Sequence, residues 1–231
     1  MYGDVVLSPR LYTVAGMVKL GRVAADIGTD HGYLPVYLIQ SYTSYYAYAC
    51  DINPNPLEKA KKTIAEYDMG KKIETVLCDG LSGLDPKKVD EIIIAGMGGE
   101  TIIKILSECP WKEDQKKHYI LQPMTKAVEL RRYLYENGFV LEREEAVEDA
   151  GHVYTVMSVY YKGRKFVPDD LFQELGLHLV HPQESAAYIR QRAEAIRKRA
   201  EGISKIDPEA GKALYELHRK ILESLEYDEN M

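Results

Sequence analysis

The sequence predicts an α/β protein in which helices cover both faces of a mostly parallel β-sheet, followed by a purely helical segment. Three observations lead to this fold class. Between residues 22 and 137, short apolar runs alternate with helix-like patterns. Two extended runs, 140–147 and 152–161, then follow each other with no helix between them. From about residue 165 onward, strand patterns cease and Ala, Glu, Arg and Lys dominate.

The alternating part of the chain divides into ordered elements. After an amphipathic opening at residues 7–18, the apolar runs predict strands over residues 22–27, 45–50, 73–77, 91–95 and 119–121. The periodic segments between them predict helices over residues 33–40, 54–67, 100–108 and 126–137. Asn53 and Pro54 form a start signal for the second of these helices, since Asn can cap free amides and Pro suits the first turn.

The two extended runs that close this part predict an antiparallel hairpin at one edge of the sheet, which brings the strand count to seven. Beyond it, residues 185–204 and 208–227 predict two helices joined by a short turn. The second helix repeats apolar residues at steps of three and four, namely Leu214, Leu217, Ile221 and Leu225. We therefore expect a catalytic or binding domain over residues 1–163 and a helical, coiled-coil-like domain over residues 164–231.

Composition limits the classes of function. Apolar residues make up 45% and charged residues 29% of the chain, as in globular proteins. No apolar run approaches the roughly 20 residues of a membrane span, and the N-terminus lacks a secretory signal, so we expect a cytoplasmic protein without membrane contact. The three cysteines form no CxxC pair, and His178 and His181 lack a third ligand, so we expect no metal. The net charge of −6 argues against indiscriminate nucleic-acid binding but leaves room for a local basic face.

A glycine and two carboxylates mark the turn after the first strand. Asp26, Gly28 and Asp30 lie there, and ligands bind at the carboxyl ends of strands in an open parallel sheet. A dinucleotide would bring its pyrophosphate to this turn, where one like-charge contact at 4 Å costs about 4 kcal/mol. S-adenosylmethionine would bring an ammonium and a sulfonium instead. The two carboxylates therefore favour this methyl donor.

Acidic residues also end the second and third predicted strands. Asp51, followed by Ile52, lies 23 positions after Gly28, a spacing that suits a carboxylate accepting both ribose hydroxyls. Asp79, followed by Gly80, can reach an adenine amino group. Any one of these aspartates alone could be a solvated cap, but the set of strand ends favours an adenosyl site.

The fourth strand ends in Gly96, Met97 and two further glycines, where substrate and methyl donor could meet with little steric hindrance. A tight strand-to-helix turn is the alternative. With the edge hairpin, these features favour the Rossmann-like class I methyltransferase variant of the doubly wound fold over the dehydrogenase variant.

Several motifs then resemble one family. They are LSPRL (7–11), ADIGTDHGYLP (25–35), CDGL (78–81), IAGMGG (94–99), LQP (121–123), LRRYLYENGF (130–139) and E-D-x-G-x-x-Y (148–154). Over residues 7–161 the chain resembles the bacterial tRNA (adenine-N1)-methyltransferases. The resemblance implies a Rossmann-like catalytic domain, a coiled-coil-like C-terminal domain, S-adenosylmethionine as cofactor, and methylation of the adenosine at position 22 in the D-arm of tRNA.

The chemistry of this reaction singles out Asp30 and His31 as catalytic candidates. Adenine N1 already has a lone pair, but the product ring becomes cationic, so a nearby carboxylate would stabilise the transition state. Asp30 lies at the rim of the glycine turn, while His31 could contact the base or a phosphate. The alternatives are that Asp30 caps a helix or that both residues contact the cofactor.

Further residues are candidates for substrate contact. Tyr33 could stack on an extruded base, although helix packing is an alternative. Arg10 and Arg131 lie in family-like segments and could extend a basic surface toward the site. Gln122 and Pro123 follow the fifth strand, where the family pattern is Gln-Pro-Asn. This chain has Met124 in place of the asparagine, and a methionine cannot make the hydrogen bonds of an asparagine to a base.

A local basic stretch supports an RNA partner. Residues 185–205 contain six basic and two acidic residues, a net charge of +4, and include Arg190 and Arg197. Such a stripe could follow a tRNA backbone, although a solvated helix face is the alternative. We expect a monomer or weak homo-oligomer. Other functions left open are methylation of another RNA base or a small molecule, a non-catalytic tRNA-binding module, and an NAD-dependent dehydrogenase if the turn aspartates point away from the ligand.

Overall fold

A seven-stranded sheet forms the centre of the computed structural model, which describes residues 3–226. The strands are Arg22–Ile27 (β1), Ser44–Asp51 (β2), Ile73–Leu77 (β3), Glu91–Gly98 (β4), His118–Thr125 (β5), Phe139–Asp149 (β6) and His152–Tyr161 (β7). Their order is β3-β2-β1-β4-β5-β7-β6. Pairing is parallel from β3 to β5, whereas β7 runs antiparallel to both β5 and β6. The predicted sheet with its edge hairpin is confirmed.

Helices follow most strands and then continue alone. They are Pro9–Gly16 (α1), Tyr33–Gln40 (α2), Pro54–Glu66 (α3), Gly99–Glu108 (α4), Ala127–Glu136 (α5), Asp170–Leu175 (α6), Ala186–Ile203 (α7) and Pro208–Glu223 (α8). Short 3-10 turns occupy Pro86–Lys88 and Gly176–Leu179. The predicted end of the last helix at Tyr227 lies outside the described residues. None of the described helices combines the length and apolar character needed to cross a lipid bilayer.

Helices cover both faces of the sheet, and successive side chains of each strand point to these two faces in turn. On one face, Ile92 and Ile94 pack among residues of α4 and α5. On the other, Ile93 packs with residues of α1 and α2. Nearly continuous apolar strands are the expected signature of such a sheet. The polar residues at the carboxyl ends of the strands lie outside this core, where they can form a site.

The C-terminal helices α7 and α8 share a small apolar core built from Leu175, Ile189, Ala193, Ile196 and Ile221. Leu214, Leu217 and Leu225, which carried the predicted helical period, pack against it. This core is distinct from the clusters on the sheet, so the helical hairpin holds together through its own contacts.

Arg131 joins the helical segment to the sheet. Its side chain is fully buried and pairs with the equally buried Glu144 on β6. The guanidinium also donates to the carbonyl oxygens of Gln173 and Glu174 and to the hydroxyl of Tyr188 on α7. The prediction that Arg131 extends a basic surface toward a substrate is therefore wrong, because all of its charge is used inside the protein.

His178 belongs to the same junction. Its ring nitrogens lie 2.9 Å from the hydroxyl of Thr155 and 2.8 Å from that of Ser185. Burial lowers the pKa of His178 to about 4, against the raising effect of the Glu144 charge. Burial alone would raise the pKa of Glu144, but the charge and hydrogen bond of Arg131, together with His178 and the backbone N–H of Leu177, outweigh it and hold that pKa below its usual value.

Candidate functional site

Two adjoining cavities lie at the carboxyl ends of the parallel strands. One of about 360 Å³ extends between the beginnings of α1 and α2, and one of about 370 Å³ extends along the ends of β2 and β3. Gly28 lines both. The strand order reverses between β1 and β4 at this point, which is where open α/β sheets bind their ligands.

Gly28 lies between the two cavities, and its backbone adopts a conformation that favours glycine. Its φ of +81° is unfavourable for other residues. A Cβ added there would also collide with Cε of Met97, which crosses from β4. Gly28 and Met97, both predicted to contact a cofactor, thus form the narrow bridge between the two cavities.

Asp26 is a buried carboxylate at the edge of the first cavity. Its exposure is 8%, and it has no ion-pair partner within residues 3–226. Burial raises its pKa to about 6, and the charge of Asp51 adds to this. A cationic ligand group would relieve this cost by pairing with the carboxylate.

Asp51 and Asp79 line the second cavity together with Ile52 and Gly80, as predicted for neighbouring strand ends. Oδ1 of Asp51 accepts the backbone N–H of Asn53 at 2.7 Å, which fixes the carboxylate at the end of β2. Asn53 stands at the N-cap of α3, but its side chain makes no capping bond. The predicted capping role of Asn53 is therefore wrong.

Cys78 also lines the second cavity and was not singled out by sequence reasoning. A hydrogen bond with buried Cys50 lowers the pKa of the Cys78 thiol to about 7, although burial opposes the shift. The only sequence signal was its position directly before Asp79 at the strand end.

Arg10 forms the other wall of the first cavity, near Gly96. Its NH1 donates to Oε1 of Gln122 at 2.5 Å, and the same oxygen accepts the backbone N–H of Gly96 at 3.0 Å. Nε of Arg10 lies 3.6 Å from Asp149, and its guanidinium lies 5.9 Å from the Tyr154 ring centre. The tip of the β6–β7 hairpin therefore holds Arg10 at the mouth of the cavity.

Gln122 and Pro123 do not reach the surface. Both are buried, and the amide nitrogen of Gln122 donates to the carbonyl oxygen of Pro123 and to Sδ of Met124. The prediction that these two residues touch substrate directly is replaced by a supporting role, because Gln122 instead ties Arg10 to Gly96.

Asp30, His31 and Tyr33 lie together at the rim of the first cavity. The Asp30 carboxylate is exposed and pairs with Lys59 at 3.3 Å and with His31 at 3.2 Å. The His31 ring stacks on Tyr33 with 5.6 Å between ring centres. The Asp30 carboxylate thus already has a cationic partner in Lys59.

The two basic residues singled out on α7 differ in their surroundings. Arg197 pairs with both Glu194 and Glu201. Arg190 is exposed and has no ion pair within the described part of the chain. Neither lines the two cavities, so they belong to a separate surface.

The residues present fit S-adenosylmethionine. A buried carboxylate beside the first cavity suits an ammonium, and Asp51 and Asp79 in the second suit the ribose and adenine. Gly28 and Gly96 line the cavities without a Cβ, so a ligand can approach the backbone there. The chemistry of these residues therefore fits an extended adenosyl ligand that passes Gly28 from one cavity into the other.

Comparison with known proteins also indicates a methyltransferase. A methyltransferase domain model matches residues 7–157. The tRNA (adenine(22)-N(1))-methyltransferase of Bacillus subtilis is 33% identical over 192 residues, covering 81% of this chain and 80% of that protein. The crystal structure of the B. subtilis m1A22 tRNA methyltransferase TrmK has a TM-score of 0.81 at 30% identity, with 96% of this chain and 100% of that chain covered.

A ligand-bound structure is also similar. The Streptococcus pneumoniae protein Sp1610 in complex with S-adenosyl-L-methionine has a TM-score of 0.80 at 29% identity, covering 95% of this chain and 100% of that chain. The chain belongs to the methyltransferase family that includes the tRNA (adenine(22)-N(1))-methyltransferase of B. subtilis.

Proposed function

We propose that this protein transfers a methyl group from S-adenosylmethionine to N1 of the adenosine at position 22 of tRNA. The observation that carries the donor is the buried Asp26 carboxylate beside a glycine bridge, with Asp51 and Asp79 at the next strand ends. The acceptor rests on the family to which the chain belongs.

In this proposal each donor contact has its own residue. S-adenosylmethionine supplies an electrophilic methyl group on a sulfonium. Asp26 holds the amino group, Asp51 accepts from the ribose hydroxyls, and Asp79 accepts from the adenine amino group. Ile52, Gly80 and Met97 pack against the adenosyl part, and Gly28 and Gly96 let it approach the backbone.

The acceptor approaches from the side of Arg10 and Tyr33. Adenine N1 needs no general base, so the protein's task is to hold the ring in line with the methyl group and to offset the positive charge that develops. We assign the second task to Asp30, with His31 as its partner. Because Lys59 already pairs with Asp30, this assignment predicts that the incoming base draws the carboxylate away from Lys59.

We assign different tasks to residues 1–163 and to residues 164–231. The first unit carries both cavities, whereas the second contributes the basic residues of α7 and lies against the sheet through Arg131. We propose that the helical unit contacts the tRNA backbone, with Arg190 and Arg197 on the contacting surface, and that the enzyme acts as a monomer or weak homo-oligomer.

A single assay tests the reaction. Purified protein is incubated with tritiated S-adenosylmethionine and either a tRNA transcript bearing adenosine 22 or the same transcript with guanosine there, and the digested nucleosides are identified by mass spectrometry. We expect 1-methyladenosine only from the first transcript. Methylation of both transcripts would mean another RNA base, and donor binding by calorimetry without methylation of either would mean a binding module or another acceptor.

The catalytic assignment has its own control. Asp30→Asn should lower kcat for tRNA while leaving the calorimetric affinity for the donor nearly unchanged. Asp51→Asn should do the reverse, weakening donor binding first. Equal kcat for Asp30→Asn and wild type would remove Asp30 from the reaction.

A further inference from the structure

We infer that a ridge of aromatic side chains on α1, on α2 and directly before α2 is a stacking surface for the RNA bases that flank the methylated base. The ridge consists of Tyr12, Tyr37, Tyr33 and His31. This inference rests on the proposed function, because it names how the RNA acceptor is held beside the same site.

The ridge is continuous with the first cavity. His31 and Tyr33 line that cavity and stack on each other, with an angle of 18° between their planes. Tyr37 follows Tyr33 by four residues in α2, so the two side chains occupy one face of the helix. Tyr12 of α1 then meets Tyr37 edge to face, with 5.9 Å between ring centres. The rings thus run from the cavity to the outer surface between the two helices.

Packing accounts for only part of the ridge. Tyr37 is half-buried against the apolar cluster below α1 and α2. Tyr12 and Tyr33, in contrast, are 60% and 45% exposed, and the His31 side chain is 43% exposed. Tyr33 and His31 line the first cavity and still face water, and Tyr12 continues this exposed aromatic surface through Tyr37, as expected of a ligand surface rather than a core.

Nucleobases suit this surface better than other ligands. An enzyme that acts on a ring atom must take its base out of the stack, and the neighbouring bases lose a stacking partner when this happens. Aromatic side chains replace such partners for any base, because every base has a flat face. Arg10, two residues before Tyr12, adds a guanidinium to the wall of the first cavity, and Lys59 pairs with the exposed Asp30 carboxylate at its rim.

The test compares tyrosines of equal exposure. Tyr12→Ala should raise KM for a tRNA transcript bearing adenosine 22 by about tenfold, the effect of losing one base stack. Tyr12→Phe should retain the wild-type KM, since it keeps the ring. The matched control is Tyr45→Ala, because Tyr45 is 63% exposed but lies near the amino end of β2, at the opposite edge of the sheet. In all three variants kcat and the calorimetric affinity for the donor should stay within a factor of two.

A direct readout locates the contact. Tyr12→p-benzoylphenylalanine should crosslink, on irradiation, to nucleotides adjacent to the methylated adenosine. An unchanged KM for Tyr12→Ala, or crosslinks confined to distant nucleotides, would overturn the inference. Methylation of the transcript by the wild-type protein would still support the proposed function. Absence of methylation by the wild type would instead reject the proposed function.

Discussion

Arg131 and Glu144 form an ion pair that solvent does not reach. Nε of Arg131 donates to Oε1 of Glu144 at 2.8 Å, and both side chains are fully buried. Because Arg131 also donates to α7 through Tyr188, the pair links the sheet with the edge hairpin to the helical unit. Its value to the fold depends on both partners being present.

Removing Arg131 alone should therefore be costly. Arg131→Met leaves the Glu144 carboxylate buried without a cation, which should lower the free energy of unfolding by ~3–5 kcal/mol. At roughly 2–4 °C for each kcal/mol, the thermal midpoint should fall by about 10 °C. Urea unfolding followed by circular dichroism measures the change. The neighbouring Arg132→Met is the control, because Arg132 is exposed and, among residues 3–226, pairs only with Glu136 on its own helix; an equal loss in both variants would refute the role of the buried pair.

This junction also shows where sequence reasoning stops. Arg131 resembles a surface arginine in its local sequence, and its partners Glu144 and Tyr188 lie 13 and 57 positions away. Burial of a charged side chain depends on such distant partners, which one sequence does not reveal. Gln122 was misplaced for the same reason, since its partner Arg10 lies 112 positions away.

The donor side was easier to predict. Asp26, Asp51 and Asp79 each lie at or within two residues of the carboxyl end of a strand, and parallel strands place these ends at one edge of the sheet whatever the side-chain packing. The fold followed from the same regularity, because apolar runs and helical periods are local signals. The pKa of Asp26 did not follow, since it depends on how deeply the strand end is buried.

Asp26 and His178 should make opposite contributions to stability as the pH changes. The pKa of Asp26 is raised from 3.8 to about 6, so its stabilising contribution is lost as the pH rises through 6. The pKa of His178 is lowered from 6.5 to about 4, so its contribution is lost as the pH falls from 6.5 toward 4. The two slopes should largely cancel in the wild type.

The Asp26→Asn variant separates the pH dependence due to Asp26 from that due to His178. Its free energy of unfolding at pH 7.5 should exceed that of the wild type by ~1–3 kcal/mol, and it should fall more steeply with acid, because only the His178 slope remains. Urea titrations between pH 4.5 and 8 measure both effects, with exposed Asp30→Asn as the control. A constant difference between Asp26→Asn and wild type across this range would contradict the assignment.

Gly28 should tolerate no side chain. Gly28→Ala puts a Cβ on a residue with a φ of +81° and displaces the methyl end of the flexible Met97 side chain, so donor affinity should fall by roughly tenfold. Adding Met97→Ala should restore part of the loss by removing the collision but not the backbone strain. Calorimetry with S-adenosylmethionine gives the affinities. Gly16→Ala is the control, since no atom lies within 4 Å of a Cβ placed there; equal affinities for Gly28→Ala and wild type would mean that the bridge is not the donor site.

Arg10 should act through its planar fork rather than its charge alone. Lysine cannot contact Gln122 and Asp149 at once, so Arg10→Lys should reduce kcat/KM for tRNA by roughly 10- to 100-fold with little change in donor affinity. Arg22→Lys provides the comparison, because Arg22 pairs with Asp90 at the amino end of β1, away from the site. Wild-type kcat/KM in Arg10→Lys would show that positive charge suffices at the cavity mouth.

The two arginines of α7 should contribute unequally to RNA binding. Arg190 is free of ion pairs among the described residues, whereas Arg197 is already shared between Glu194 and Glu201. Arg190→Ala should therefore weaken tRNA binding and reduce the slope of log affinity against log salt by about 1. Arg197→Ala should change the slope less, since a phosphate must first displace two carboxylates from its guanidinium. Filter-binding titrations over a series of KCl concentrations measure both slopes, and an unchanged slope for Arg190→Ala would place the tRNA backbone on another face of the helical unit.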